Sequence, residues 1–397
     1  MAKVLDIATW RLATPDDVLE LYESRKKTRK PDNGLGYLVV RSQLRPIDIY
    51  AYLRARFGKP NGFQNFLRRD DSDNWIHWDF NLKADNIDIH IAGTSREIHF
   101  LIGESLTDQE WKEVITNLKA DFERLGPEKS EIIRSFEKFV IFQNKFATLA
   151  ELCAELHESI LKTPKIRLRQ PDFKADSHRE KYETSMNRQS KRATRLYGDC
   201  LKLKLLTPIM AEAFINLVIL VFCKDDVRNN PQNYESFIRL NMPERLAGLS
   251  EYCFGFVKPI NQETVAYRNF KRVMDKRNFA IHGNMNPVRD QIETVYFEGK
   301  RPIFAEGGDN IVKFFEHLET INSPQDVIAD YENVHLYLYE ITHYLSASHR
   351  AFFDHILDDP FPGYEVYKKR VTKILPNHNI LGILEGTRYD DDLNVNW

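Results

Sequence analysis

The period of the hydrophobic pattern changes twice along this chain, and the changes decide what each part can fold into. Between Trp75 and Gly103 apolar residues alternate with polar ones: Ile76, Trp78, Phe80 and Leu82, then Ile87, Ile89 and Ile91, then Ile98, Phe100 and Ile102. A period of two marks half-buried strands with one face on a core. The separators Lys83-Ala84-Asp85-Asn86 and Gly93-Thr94-Ser95-Arg96 carry turn residues, so the segment predicts a three-stranded antiparallel meander. Upstream, Val18, Leu19 and Tyr22, and then Ile49, Tyr52, Leu53 and Phe57, recur every three to four positions, which is helical spacing. Downstream, Thr107 heads a helix with Asp108 and Glu110 in its first turn, and Gly126-Pro127 ends it.

Beyond Pro127 the strand period hardly returns. Helices are predicted over Ser130–Leu161, over Thr207–Cys223 with Pro208 at its start, over Pro243–Tyr252, Gln262–His282 and Asn310–Leu318, and over Pro324–Leu357. The last puts Val334, Leu338, Ile341, Leu345, Phe352 and Ile356 on one stripe. One hairpin, Glu293–Phe297 with Ile303–Ala305 around Gly299, interrupts them. The expected fold class is therefore α+β: a small α+β domain over 1–126, a helical connector and polar, basic linker over 127–185, and an all-α bundle over 186–357 with a hairpin insertion near 286–323. The tail, 358–397, ends in the acidic run Asp390-Asp391-Asp392 and is expected to be an arm that packs on the bundle or on a partner.

A chain of 397 residues, 42% of them hydrophobic, has material for two cores. With 56 Lys+Arg against 58 Asp+Glu it is not a histone-like or polybasic protein. Its longest strongly apolar run, Phe214–Cys223, is half of the about 20 residues a bilayer requires. No membrane span is expected, and the N-terminus lacks the zoning of a secretory signal, so a cytoplasmic protein is expected. Cys153, Cys200, Cys223 and Cys253 form no C-x-x-C pair and are expected to be reduced, mostly buried thiols. GxxxxGK[ST], GxSxG and HExxH are absent from the sequence, which removes the familiar NTPase, hydrolase and zinc-protease readings. No cofactor and no metal is expected.

The most informative stretch is Asp275-Lys276-Arg277-Asn278-Phe279-Ala280-Ile281-His282-Gly283-Asn284. On a helix Asp275, Asn278 and His282 share one face, beside an apolar stripe of Phe270, Met274 and Ile281. Gly283 is a natural stop and Pro287 forbids continuation, so His282 falls in the last turn, where the negative end of the helix dipole favours its protonated form. Arg277 and His282 are five residues apart, about 140° around a regular helix, so they converge only through a kink or through a second subunit.

Arg277-Asn278 followed by three residues and His282, set among long helices, resembles the R-x4-6-H signature of the HEPN superfamily. The resemblance covers the helical half, roughly 186–357. It implies a metal-independent endoribonuclease that works as a toxin or effector in antiviral or stress defence, as a homodimer or larger assembly, with RNA as substrate and an antitoxin or activating protein as a further partner. It also implies roles: His282 as acid and base at the ribose 2′-hydroxyl and the leaving oxygen, Arg277 stabilising charge on the phosphate, Asn278 orienting either. Imidazole suits proton transfer near neutral pH, and a guanidinium grips phosphate without a metal. The alternative is a catalytically silent HEPN-like module that binds nucleic acid or protein.

Supporting candidates follow from charge placement. Glu212 and Asn216 lie one turn apart in an otherwise apolar helix and, if buried, require partners there; Glu212 is a candidate to position Arg277, with a carboxylate pointing to solvent as the alternative, and Asp275, from the polar stripe of Asn278 and His282, is a further supporting candidate. From Pro164 to Lys204 there are twelve Lys+Arg against five acids, and Arg188, Lys191, Arg192 and Arg195 are the candidate RNA contacts, with a solvated face balanced by acids elsewhere as the alternative. In the sheet, Trp75, His77, Asp79, Asp88, His90 and His99 line the face opposite the core, a candidate ligand pocket or metal site if it is not simply the wet face. His335, His343 and His349 are spaced too unevenly for a metal cluster.

Overall fold

A computed structural model describes residues 3–20, 34–62, 76–163, 176–281, 287–288, 291, 293–308, 310–374 and 387–397, the side chains at 176–179 and 278–281 excepted. The protein is mixed α+β and mostly helical, and its chain forms two compact units. The first is Met1–Val140 with Glu365–Lys368 and Lys373–Trp397; the second is Ile141–Tyr364 with Lys369–Thr372. The first unit thus runs past the boundary that the periodicity puts near 126, and it takes the end of the tail.

In the first unit the meander forms β3 (Trp78–Ala84), β4 (Ile87–Gly93) and β5 (Ile98–Ile102), flanked by β1 (Trp10–Leu12) and β2 (Gly36–Val40). The order is β1-β3-β4-β5-β2, with every pairing antiparallel. Register explains the core: Phe80 is opposite Ile91, Ile91 opposite Phe100 and Phe100 opposite Leu38, so one buried row crosses four strands. Against it pack α1 (Pro46–Phe57), through Ile49, Tyr52 and Leu53, and α2 (Asp108–Arg124), through Trp111, Val114, Ile115 and Leu118. Thr107 closes α2 with a reciprocal cap, its hydroxyl accepting from Glu110 N–H while the Glu110 carboxylate accepts from Thr107 N–H at 2.8 Å. A second helix, α3 (Gly126–Arg134), starts immediately after it with Pro127 in its first turn.

The tail divides: Lys369–Thr372 belong to the helical unit, with Val371 buried in its core as expected, and only the end of the tail corrects the expectation. Residues 387–397 pack on the N-terminal sheet: Val39 N–H donates to the Arg388 carbonyl at 2.9 Å, and Val39 bridges Tyr389. Asp390 is fully buried and accepts from the backbone N–H groups of Arg41, Ser42 and Gln43 and from the Ser42 hydroxyl, at 2.7–3.3 Å. This anchor covers the free edge of β2.

The second unit is built on α4 (Lys145–Lys162) and α5 (Asp176–Phe222), followed by α6 (Asp225–Arg228), α7 (Pro231–Arg239), α8 (Met242–Tyr252) and α9 (Val265–Ile281). The exposed hairpin β6 (Val295–Glu298) and β7 (Arg301–Phe304) turns at Gly299, whose φ of +63° favours glycine, and α10 (Asn310–Asn322), α11 (Pro324–Thr342) and α12 (Ala347–Leu357) complete the unit. The sequence puts a linker up to residue 185 and a helix start at Thr207-Pro208; both are corrected. α5 runs unbroken for 47 residues, about 70 Å, with Pro208 inside it. Thr207, just before the proline, donates its hydroxyl back to the Leu203 carbonyl at 2.7 Å. Beyond it Met210, Phe214, Ile215, Val218, Ile219 and Phe222 are all buried, which outweighs the about 3 kcal/mol that an interior proline costs. α5 also contains a stretch apolar enough to cross a bilayer, and 61% of that stretch is buried inside the fold.

The helix expected over Pro324–Leu357 is two. At His343–Ser346 the chain leaves helical geometry to pair with 255–257: Ser346 N–H donates to the Gly255 carbonyl and Val257 N–H to the Tyr344 carbonyl, both at 2.9 Å. Of the expected stripe Ile356 stays buried, whereas past the break Phe353 takes the buried place and Phe352 is 40% exposed.

Candidate functional site

α5 and α9 bring Glu212 and Arg277 together. Arg277 Nη1 lies 3.4 Å from Glu212 Oε2, and on the other side of the carboxylate Arg245 Nη1, from α8, lies 3.6 Å from Glu212 Oε1. Arg245 is 6% exposed; it donates to Asn216 Oδ1 at 3.0 Å and to the Leu240 carbonyl at 2.9 Å. The two polar residues of the apolar helix are thus the docking points for two guanidiniums. One carboxylate between two arginines leaves a net positive charge. The Nε groups of Arg245 and Arg277 are both buried with no hydrogen-bond partner among the described residues, so each has an unused donor in a cationic setting.

Arg245 is a residue that sequence reasoning missed. Its signal was indirect: a glutamate and an asparagine one turn apart in a buried helix imply at least one buried cation, and nothing local to Met242–Tyr252 says that Arg245 is that cation. Asp275 is exposed, on the same helix as Arg277 but away from Glu212. Asn278 has its backbone in the helix, which continues without a break to Ile281. Its side chain and all of His282 lie outside the described residues.

α9 presents further cations. Arg268, Lys271, Arg272 and Lys276, with Lys204 from α5, line a groove of about 770 Å³ together with the acids Asp275, Asp326 and Asp330. Its buried Asp330 is taken by Arg272 at 3.3 Å and by Lys276 at 2.6 Å. Arg188, Lys191, Arg192 and Arg195 form one stripe on α5, at steps of three and four residues. Arg192 and Arg195 share a groove with Glu155 and Glu158 of α4, so acids from the neighbouring helix offset part of the excess counted along the sequence. Arg188 and Lys191 are exposed.

The sheet face opposite the core is not wholly wet, which corrects the simpler expectation for it. Asp79 is fully buried with His90 Nε2 at 3.2 Å, and Tyr37 Oη and His99 Nδ1 lie 2.8 Å apart. Burial pushes His99 down and Tyr37 up. His77 contacts Ser95 at 3.1 Å, Asp88 lies 3.7 Å from Lys83, and Trp75 is outside the described residues. Among the described residues no group of three or more His, Cys, Asp or Glu is arranged to hold a metal ion. His335, His343 and His349 are separate: His335 meets the Tyr331 ring edge to face, His343 bonds its own helix at the Tyr339 carbonyl, and His349 bonds Ser346 at 2.6 Å between the Phe222 and Phe254 rings. Comparison of the chain with protein-family models, with curated proteins and with solved structures finds no match.

Proposed function

We propose that this chain is a cytoplasmic, metal-independent endoribonuclease of HEPN type, dimeric when active, that serves as a toxin or effector in defence. The observation that carries the reading is the Arg277–Glu212–Arg245 arrangement: a guanidinium fixed in direction by a carboxylate, with net positive charge left over for a phosphodiester. In the reaction the ribose 2′-oxygen attacks phosphorus as His282 takes its proton, the bond from phosphorus to the 5′-oxygen breaks, and an imidazolium returns a proton to that oxygen. The products are a 2′,3′-cyclic phosphate and a 5′-hydroxyl. Arg277 steadies the charge on the non-bridging oxygens. Five residues of regular helix would turn Arg277 and His282 about 140° apart, so in this reading the pair that meets one phosphate comes from two chains. An antitoxin or activator is the partner expected to control it.

The test is incubation of the protein, and of its Arg277→Ala and His282→Ala variants, with total cellular RNA in EDTA, followed by analysis of the cleaved ends. Cyclic phosphate produced by the wild type alone supports the reading. Absence of cleavage together with salt-dependent RNA binding moves the silent binding module ahead of it.

A further inference from the structure

α5 and α8 end side by side. Just past them the chain runs antiparallel for one step: Lys224 N–H donates to the Tyr252 carbonyl at 2.9 Å and Phe254 N–H to the Phe222 carbonyl at 2.8 Å. Cys223 and Cys253 face each other between those bonds, as an isolated antiparallel bridge. Because the hydrogen bonds belong to the flanking residues, the cysteines form a non-hydrogen-bonded pair, with Cα atoms about 4.5 Å apart and side chains on one face. That spacing lies inside the roughly 4.4–6.8 Å that a disulfide spans. Both thiols are free and buried. Cys153 and Cys200, in the middle of α4 and α5, have no such pairing among the described residues.

We propose that Cys223 and Cys253 are an oxidisable dithiol that closes to an intramolecular disulfide when a small peroxide reaches the corner where α5 and α8 end. The two sulfurs are not equivalent. Burial pushes both thiols up, Cys253 further; the Arg228 guanidinium opposes burial at both, but only at Cys223 does it add a hydrogen bond to its charge, against a smaller upward push there from Asp225 and Asp226. Arg228 is held in place by the Leu220 and Lys369 carbonyls. Cys223 is accordingly the attacking sulfur. Its thiolate forms an S–O bond as the peroxide O–O bond breaks, and the departing hydroxide becomes water with a proton. The Cys253 sulfur then displaces the second oxygen from the Cys223 sulfenic acid, also as water. Two thiols give up two hydrogens in all, and the peroxide is reduced to two waters. Lys224 and Phe254, adjacent in the chain, are exposed, so the path for a molecule as small as hydrogen peroxide is short. The crosslink joins the helices that carry Glu212 and Arg245, so oxidation braces the corner on which Arg277 depends. The inference does not require the ribonuclease reading.

The experiment treats the full chain with hydrogen peroxide under native conditions, blocks the remaining thiols with an alkylating agent and maps the peptides by mass spectrometry. The expected result is one peptide pair linked through Cys223 and Cys253 and lighter by two hydrogens, with the linkage reversed by a thiol reductant. The melting temperature of the oxidised form rises by about 5–10 °C, from closure of a loop of some thirty residues. In Cys253→Ser a sulfenic acid is trapped on Cys223; in Cys223→Ser none is trapped on Cys253. All four thiols surviving the treatment, or a linkage through Cys153 or Cys200, overturns the proposal. Should a serine variant fail to fold, the wild-type map decides alone.

Discussion

Replacing Glu212 by glutamine isolates the charge at the centre of the candidate site, because shape and one acceptor oxygen are kept while two cations lose their counter-ion. The structure bounds the cost. Arg245 is 8% exposed by side chain, Arg277 25% and Glu212 33%, and the contacts are 3.4 and 3.6 Å. Breaking a fully buried pair costs about 3–5 kcal/mol, and an exposed one about 0–1. A carboxylate one-third exposed, with two long contacts, falls between, at about 1–2.5 kcal/mol. For a unit of this size that lowers the melting temperature by roughly 3–8 °C. Calorimetry at low and high salt measures it, and the difference should shrink as salt rises. A double-mutant cycle with Arg245→Met gives the coupling: the arginine replacement alone strands the carboxylate against one cation, and after Glu212→Gln it should cost about 1 kcal/mol less. A loss for Glu212→Gln within about 0.3 kcal/mol of zero, or strict additivity in the cycle, would refute the claim that this carboxylate holds the two arginines.

Further outcomes are expected elsewhere. A Cβ on Gly36 would lie 2.5 Å from the Glu104 carbonyl oxygen and 3.2 Å from the Trp111 ring, so Gly36→Ala should cost about 1–3 kcal/mol in a melting experiment, whereas Gly126→Ala, with open space around it, should not destabilise. The Asp108 carboxyl, bonded by Asn394 N–H and by Arg388, and the Asp391 carboxyl, bonded by Arg41, are both held below the ordinary range. Their contribution to the docked tail is therefore present above about pH 4 and lost as pH falls below it. Trp397, whose ring sits 5.8 Å from the Lys119 ammonium, should report release of the tail in that window as a fluorescence change absent from Trp397→Phe, and a change centred near neutral pH would contradict the assignment. If the exposed Arg188 and Lys191 meet phosphates, changing both to alanine should weaken RNA binding alike across sequences and reduce the log–log salt slope by about 2. An unchanged slope returns that stripe to a solvated helix face.

The parts of the fold legible in sequence were those where one physical rule acts alone. Period-two alternation over 76–102 needed only a one-sided core, and the structure puts Phe80, Ile91 and Phe100 in one row as that rule requires. Thr107 capped α2 as its spacing from Glu110 implies. β2 was missed because Leu38, Val39 and Val40 are all buried, so the run has no alternation to detect. Pro208 misled because a local rule, proline opening a helix, met a tertiary one: the packed face of α5 keeps the helix intact across the missing N–H. The break at 343–346 was illegible for the same reason, since its hydrogen bonds go to Gly255 and to Val257, some ninety residues away.

The candidate site divides along the same line. Arg277 could be named from a short motif and Glu212 from its discord with an apolar helix, because both signals are local. Arg245 could not, for a buried cation carries no mark of its own in sequence when its partners come from another helix. The structure shows what the partner of Glu212 and Asn216 has to be: a donor-only group able to reach two acceptors one turn apart while giving a third bond to backbone. Arginine meets that demand with its forked donors and lysine does not. Arg245→Lys should therefore fail to restore the stability lost in Arg245→Met, since one ammonium cannot span Asn216 Oδ1, the Leu240 carbonyl and the Glu212 carboxylate at once. Full recovery with lysine would mean that charge alone, without the fork, organises this corner.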